Sequence, residues 1–334
     1  MVASEAVENE IKCEVKALSE FWAGEESTYS QVIGCTFPEN YSVTLQNTHL
    51  SNTANDSVRK LDFSNTLNFK FLPVNIAEKF PNLKKVKGYE TGVEFLSYDN
   101  LRHLSKVEEF DLRRSNLNNI EENAFQDTPK MKSIAMSENK LTSLPDKLFS
   151  KLESLEDLYL RHNKISRLDS KIFASNKNLM TLDLSENLLK NIEPHTFDTL
   201  TELRTLNLAF NELTEIDSHI FAFNINVDYL ELNDNKISSL DSHLLIALKE
   251  LNTVSLSRNP LETFDFELFK ENQSLREIFL EECKIRKVLN IETTDVIKDL
   301  ERVKLEKNVC IDEDYDFKGL QFKLKRDVNK KCTQ

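Results

Sequence analysis

The chain has 334 residues, a formal net charge of −13, 40% hydrophobic and 30% charged residues. That apolar content excludes a wholly disordered chain, and the acidic balance argues against nucleic acid or an anionic membrane as the main partner, because phosphate contact needs basic surface. Five glycines, against an average of about 7%, argue against phosphate-cradling glycine loops. No run of about 18 apolar residues exists to span a bilayer, and 21 phenylalanines need a regular architecture to hold them.

In chain order, residues 1–12 are polar and acidic and do not read as a signal peptide. Residues 28–37 alternate, with Tyr29, Ile33, Cys35 and Phe37 on one side, and predict a strand that forms a hairpin with residues 11–18. From Val58 onward a repeat takes over. Met131, Leu155, Leu179, Leu203, Val227, Leu251 and Leu275 recur every 24 residues. Three residues later stand Ile134, Leu158, Leu182, Leu206, Leu230, Val254 and Ile278, and two further on Met136, Leu160, Leu184, Leu208, Leu232, Leu256 and Leu280. Asparagine follows as Asn139, Asn163, Asn187, Asn211, Asn235 and Asn259. The frame runs back through Val107 and Leu83, and forward with one extra residue to Leu300, Val303, Leu305 and Asn308, giving about eleven units. Past it, Leu320, Phe322 and Leu324 alternate with Gln321, Lys323 and Lys325, which predicts a closing strand with lysines guarding its edge. Lys318, Arg326, Lys330 and Lys331 make this tail basic.

The pattern L-x-x-L-x-L-x-x-N-x-L over residues 58–310 resembles the leucine-rich repeat family. The division expected is an N-terminal cap over 1–57, repeats over 58–310 and a C-terminal cap over 311–334. The resemblance implies an α/β repeat solenoid: a horseshoe with a parallel, concave β-sheet of about eleven strands and an irregular or short-helical convex side. Alternation such as Leu158-Tyr159-Leu160 suits a short strand with one buried face. The asparagines are expected to turn inward and bond backbone groups of adjacent turns. Phe125, Phe149, Phe173, Phe197, Phe221 and Phe269 share one position and read as a packed spine. An acid four residues earlier (Glu121, Asp169, Glu193, Asp217, Asp241, Asp265) reads as a cap for the short helical turn that follows.

A 24-residue unit with this phenylalanine is similar to the extracellular subclass, which includes Toll-type ectodomains, matrix proteoglycans and small secreted insect proteins. In secreted members disulfides build the terminal caps, which implies Cys13–Cys35 and Cys310–Cys332 bridges. Cys283 falls at an asparagine position and reads as a buried free thiol; the rival is a Cys283–Cys310 bond. The sequons at Asn40, Asn55 and Asn272 add weight to secretion, with Asn272 expected on the convex return loop, where a glycan is tolerated.

Function must be read from the side chains that the sheet displays. The central outward column is Asp62, Lys87, Asp111, Ala135, Tyr159, Asp183, Asn207, Glu231, Ser255, Phe279 and Lys304, and the column two residues later contains Arg113, Arg161 and Glu281. Aromatic residues and arginine dominate binding hot spots. The expected partner-binding set is therefore Asp111, Arg113, Arg114, Tyr159, Arg161, His162, Phe210, Tyr229 and Phe279. His195, His219 and His243 share one convex position and read as exposed loop residues rather than metal ligands. No nucleophile elbow, phosphate loop or H-E-x-x-H run is present, so neither catalysis nor a cofactor is expected. The reading is a secreted, non-catalytic protein that holds a protein or glycoprotein partner on the concave sheet, with innate defence as the setting that the resemblance implies. A matrix component assembling through its lateral faces and an inhibitor enclosing an enzyme stay open, as does the oligomeric state.

Overall fold

The computed structural model describes the backbone of Cys13–Trp22 and Glu25–Cys35, and residues 58–65, 70–74, 76–316 and 320–332 in full. The sequons at Asn40 and Asn55 lie outside the described residues. The chain divides into two compact units, one running to Leu141 and including Lys147–Leu155, the other holding Thr142–Asp146 and everything from Glu156 on.

In the first unit Cys13–Trp22 and Glu25–Cys35 form an antiparallel hairpin, longer than the alternation indicated, in which Cys13 is registered opposite Cys35. The side chains of this hairpin lie outside the described residues, so the Cys13–Cys35 bridge stays an expectation. Glu25–Cys35 pairs in parallel with Lys60–Asp62, which is followed by Lys85–Lys87, Glu109–Asp111 and Ser133–Ala135, all parallel. The second unit carries seven parallel repeat strands: Asp157–Tyr159, Thr181–Asp183, Thr205–Asn207, Tyr229–Glu231, Thr253–Ser255, Glu277–Phe279 and Arg302–Lys304. With the four of the first unit these are the eleven repeat strands expected from the sequence. Return segments are turns, short 3-10 helices at Phe266–Phe269 and Ile291–Val296, one-turn α-helices at Ile76–Lys79 and Tyr98–Leu101, and two parallel strand pairs, Phe95–Leu96 with Asn119–Ile120 and Thr263–Asp265 with Lys287–Leu289.

Each strand is three residues long because only its middle residue must face inward. Leu158, Leu182, Leu206, Leu230, Val254 and Ile278 are fully buried, at about 2 kcal/mol of stabilisation for each large aliphatic side chain. The asparagines satisfy the turns that follow. Asn187 accepts from the Ile165 N–H at 3.0 Å and donates through Nδ2 to the carbonyls of Leu160, Leu184 and Ser185 at 3.0–3.1 Å. Asn211 and Asn235 repeat this pattern, and Asn259 repeats it with two carbonyls, those of Leu232 and Leu256. On the far side Phe197 stacks between Phe173 and Phe221, with ring centroids 6.3 and 6.4 Å away. The recurrent acids divide by length: the carboxylates of Asp169, Asp217, Asp241 and Asp265 each accept the backbone N–H two residues on. The longer Glu121 instead reaches the Tyr98 N–H.

Cys283 is buried and free, and its Sγ donates to the Leu256 carbonyl at 3.3 Å, taking the place of the asparagine amide. Burial pushes its thiol up to about 11. At pH 8 Cys283 should therefore resist an aromatic disulfide reagent in the native protein and react once urea unfolds it, which peptide mapping of the labelled chain checks. Cys310 is bonded to Cys332, which removes the Cys283–Cys310 alternative. Cys332→Ser should lower stability by about 3 kcal/mol, read as an earlier urea midpoint, because the bridge closes a loop with a sequence separation of 22.

Two expectations fail here. The segment beginning at Leu320 is not a strand but leads into an α-helix, Gln321–Lys331. Leu320, Leu324, Val328 and Cys332 are all fully buried, and their spacing of four puts them on one helical face, whereas Phe322 is 76% exposed. The alternation covered too few residues to outweigh that longer period. The closing strand is Asp314–Asp316, antiparallel to Arg302–Lys304. Asn272, in turn, is not on an open loop. It is fully buried, and its Nδ2, the atom a glycan would join, donates to the Leu245 and Leu248 carbonyls at 2.9 and 2.7 Å. Asn224 makes the equivalent pair of bonds to Phe197 and Leu200, so these asparagines form a second internal set at 48-residue spacing.

Candidate functional site

The parallel register puts the outward column where the sequence reading expected it: in the second unit Tyr159, Asp183, Asn207, Glu231, Ser255, Phe279 and Lys304 are neighbours in that order. A feature that sequence reading missed lies at the edge of this face. Glu90, Arg114, Glu138, His162, Glu186, Phe210, Asp234, Arg258, Glu282 and Lys307, each directly before a ladder position, all have φ between 53° and 57°. None is glycine, although this conformation costs an ordinary residue about 1 kcal/mol or more. The cost is offset by a backbone bond: the Glu186, Phe210 and Asp234 N–H groups each donate to a carbonyl of the next turn at 2.9 Å. The result is a full-length side chain at every turn.

That left-handed column is a ladder of charges. In the first unit Arg114 lies 2.8 Å from Glu138 and 3.5 Å from Glu90, and donates to the Tyr89 hydroxyl at 2.6 Å. Arg113 makes two bonds to Asp111 at 2.9 and 2.8 Å, and both guanidinium groups lie over the Tyr89 ring. Tyr89 was not among the expected site residues, although it occupies the same outward column as Arg113.

In the second unit Arg161 and His162 converge on one carboxylate, Glu186, with His162 Nδ1 2.7 Å from Oε2 and Arg161 Nε 2.8 Å from Oε1. The bond from His162, and after it those from Arg161, hold Glu186 below the usual carboxylate range despite partial desolvation. Arg258 pairs with Asp234, Lys304 with Glu281, Lys307 with Glu282 and Arg302 with Asp314. Phe210 breaks the ladder. It is the uncharged member, lies between Glu186 and Asp234 in the column, and is 47% exposed. Tyr229, 36% exposed, begins the next strand and donates its hydroxyl to Glu231; burial first, and then that carboxylate, raise its pKa above the ordinary tyrosine value. Phe279 is half-buried beneath Lys304, whose Nζ is 5.9 Å from the ring centroid.

The expected set is thus distributed: Asp111, Arg113 and Arg114 stand in the first unit, and Tyr159, Arg161, His162, Phe210, Tyr229 and Phe279 in the second. The arginines and His162 are bound to acids of their own unit, leaving Phe210 and Tyr229, among the described residues of the expected set, as the large exposed aromatic side chains. A polar groove of about 590 Å³ adjoins Tyr229 at the strand starts, between Arg204 and Asp299. Another patch was missed entirely. Phe223, Ile225 and Ile246 are 46–54% exposed on return segments of consecutive turns. The signal was in the sequence: the position of Phe223 carries Asp127, Lys151 and Thr199 in other units. The three histidines of the return side each sit near an acid of their own turn, His195 near Asp198, His219 near Asp217 and His243 near Asp241.

Three consecutive stretches, residues 105–165, 154–213 and 201–261, match the family model for the leucine rich repeat, and the strand, ladder and spine geometry follows the same frame. The chain is a leucine-rich repeat protein. No curated protein matches its sequence at a significant level. Among solved structures, this leucine-rich repeat chain is similar to TLR13 in its complex with ssRNA13, at 22% identity and a TM-score of 0.61, over 75% of this chain and 38% of that one. It is similar to Drosophila Toll in the Toll–Spatzle complex, at 19% identity and a TM-score of 0.60, over 81% of this chain and 40% of the other. The APL1 leucine-rich repeat domain matches at 23% identity with a TM-score of 0.50, over 74% and 75% of the two chains. The chain spans about two fifths of the TLR13 and Toll chains, and at these identities the likeness is one of fold. No helix among the described residues is long and apolar enough to cross a membrane.

Proposed function

We propose that this leucine-rich repeat protein is an extracellular, non-catalytic binding protein that holds a protein or glycoprotein partner on the solvent face of its repeat sheet, in innate defence. One observation carries the reading: Phe210 is an exposed aromatic side chain kept at a left-handed backbone position whose neighbours in the column are charged and paired. An exposed phenylalanine there does nothing for the core and suits a contact anchor. The rigid strands display it with little ordering cost on binding. Toll, similar in fold, is described in complex with Spatzle as a hub of innate immunity; the Cys310–Cys332 bridge supports an oxidising compartment. TLR13 is described with an RNA, but here the acidic net charge and the paired cations favour protein over nucleic acid.

Assembly through the return side is the second reading, favoured by the Phe223, Ile225 and Ile246 patch. Affinity capture from extracellular fluid of the source organism separates the two. The proposal expects a partner held by wild type and lost by Phe210→Ala/Tyr229→Ala, and retained by Phe223→Ser/Ile246→Ser, with folding of each variant checked by circular dichroism. Loss with the second variant alone would transfer the interface to the return side.

A further inference from the structure

The charges on this face are not balanced. Among the described residues in the strand and turn columns of the second unit, the arginines and lysines (Arg161, Arg258, Arg302, Lys304 and Lys307) already rest on carboxylates. Two central carboxylates do not share in this. Asp183 accepts only from the Ser185 N–H and hydroxyl, at 2.9 and 2.6 Å, and Glu231 accepts from the Tyr229 hydroxyl. Neither has an ion-pair partner among the described residues. They stand on either side of Asn207, one strand away in each direction, so their separation is about 10 Å. Tyr229 lies at the start of these strands, and Phe210 three residues past Asn207. The uncompensated acids therefore stand between two aromatic positions, Tyr229 two residues before their level and Phe210 three residues past it.

We infer that the partner segment seated on this face is cationic, with arginine or lysine side chains meeting Asp183 and Glu231 between the Phe210 and Tyr229 rings. The inference rests on the binding reading above and specifies its chemistry. Complementary charge sets the register and speeds encounter, and an aromatic face beside carboxylates attracts a guanidinium group by both its quadrupole and its neighbours. An acidic or neutral segment would leave both carboxylates desolvated without a partner, which is costly. A face of the same net charge with its acids already paired would offer no such preference.

The test uses two fluorescein-labelled peptides, one of four Gly-Arg repeats and one of four Gly-Glu repeats, titrated by anisotropy at low ionic strength, where exposed charge is least screened. The Gly-Arg peptide should bind and the Gly-Glu peptide should not. Asp183→Asn/Glu231→Gln keeps the internal hydrogen-bond acceptors, and should weaken Gly-Arg binding by about tenfold or more. Glu262→Gln/Glu292→Gln removes the same charge from return segments and should change it by less than about twofold, since distant surface charges act weakly. An absence of Gly-Arg binding, or an equal loss in both double variants, overturns the inference. Neither outcome touches the binding reading, which fails instead if Phe210→Ala/Tyr229→Ala retains the captured partner.

Discussion

Phe197→Ala should destabilise the chain by about 3–5 kcal/mol, read as a shift of the urea midpoint with an unchanged slope. Phe197 has no exposed surface and stacks on Phe173 and on Phe221, with the latter ring only 3° from parallel. Truncation would open a cavity in the middle of a column, where rings above and below cannot collapse without moving their own turns. The Phe197 carbonyl also accepts from Asn224 Nδ2 at 2.8 Å, so backbone displacement would loosen a second buried bond. Phe223→Ala, two residues past the spine in its own turn and 54% exposed, should change stability by no more than about 0.5 kcal/mol. The contrast separates a structural phenylalanine from a surface one in a sequence that has 21.

Asn187→Ala should cost about 2–4 kcal/mol by the same measurement. The substitution leaves the buried Ile165 N–H without its acceptor at 3.0 Å, and takes from the Leu160 carbonyl one of its two amide donors, the other being Asn163 Nδ2 at 2.9 Å. A stranded buried N–H costs about 1–3 kcal/mol, and the lost amide bonds add about 1 kcal/mol. Asn187→Leu should do no better, because what is lost is polar contact between neighbouring turns rather than volume.

The ladder and the spine were legible in the sequence because each recurs in register over many units, and a residue type fixed by burial or by hydrogen bonding repeats. What escaped was held by non-repeating or longer patterns. The terminal helix is written in Leu320, Leu324, Val328 and Cys332, a period of four that three alternating residues masked. Asn272 matches a sequon, yet its amide belongs to a set that recurs only in every second unit, and the intervening Leu200 and Leu248 conceal it. The left-handed column has no residue-type signature, because its conformation is imposed by backbone bonds to the next turn rather than by glycine. Arg161 and His162 stood out as anchors by type. That both would close on Glu186, 24 or 25 residues away, depends on which side chains adjacent turns place side by side.

The central claim is that the partner rests on the sheet face, and site-specific photocrosslinking tests it most directly. p-Benzoylphenylalanine would be placed at Asn207 in one preparation and at Phe223 in another, and each irradiated with the captured partner. The account predicts a covalent adduct from position 207 and none from position 223. An adduct from position 223 alone would contradict it.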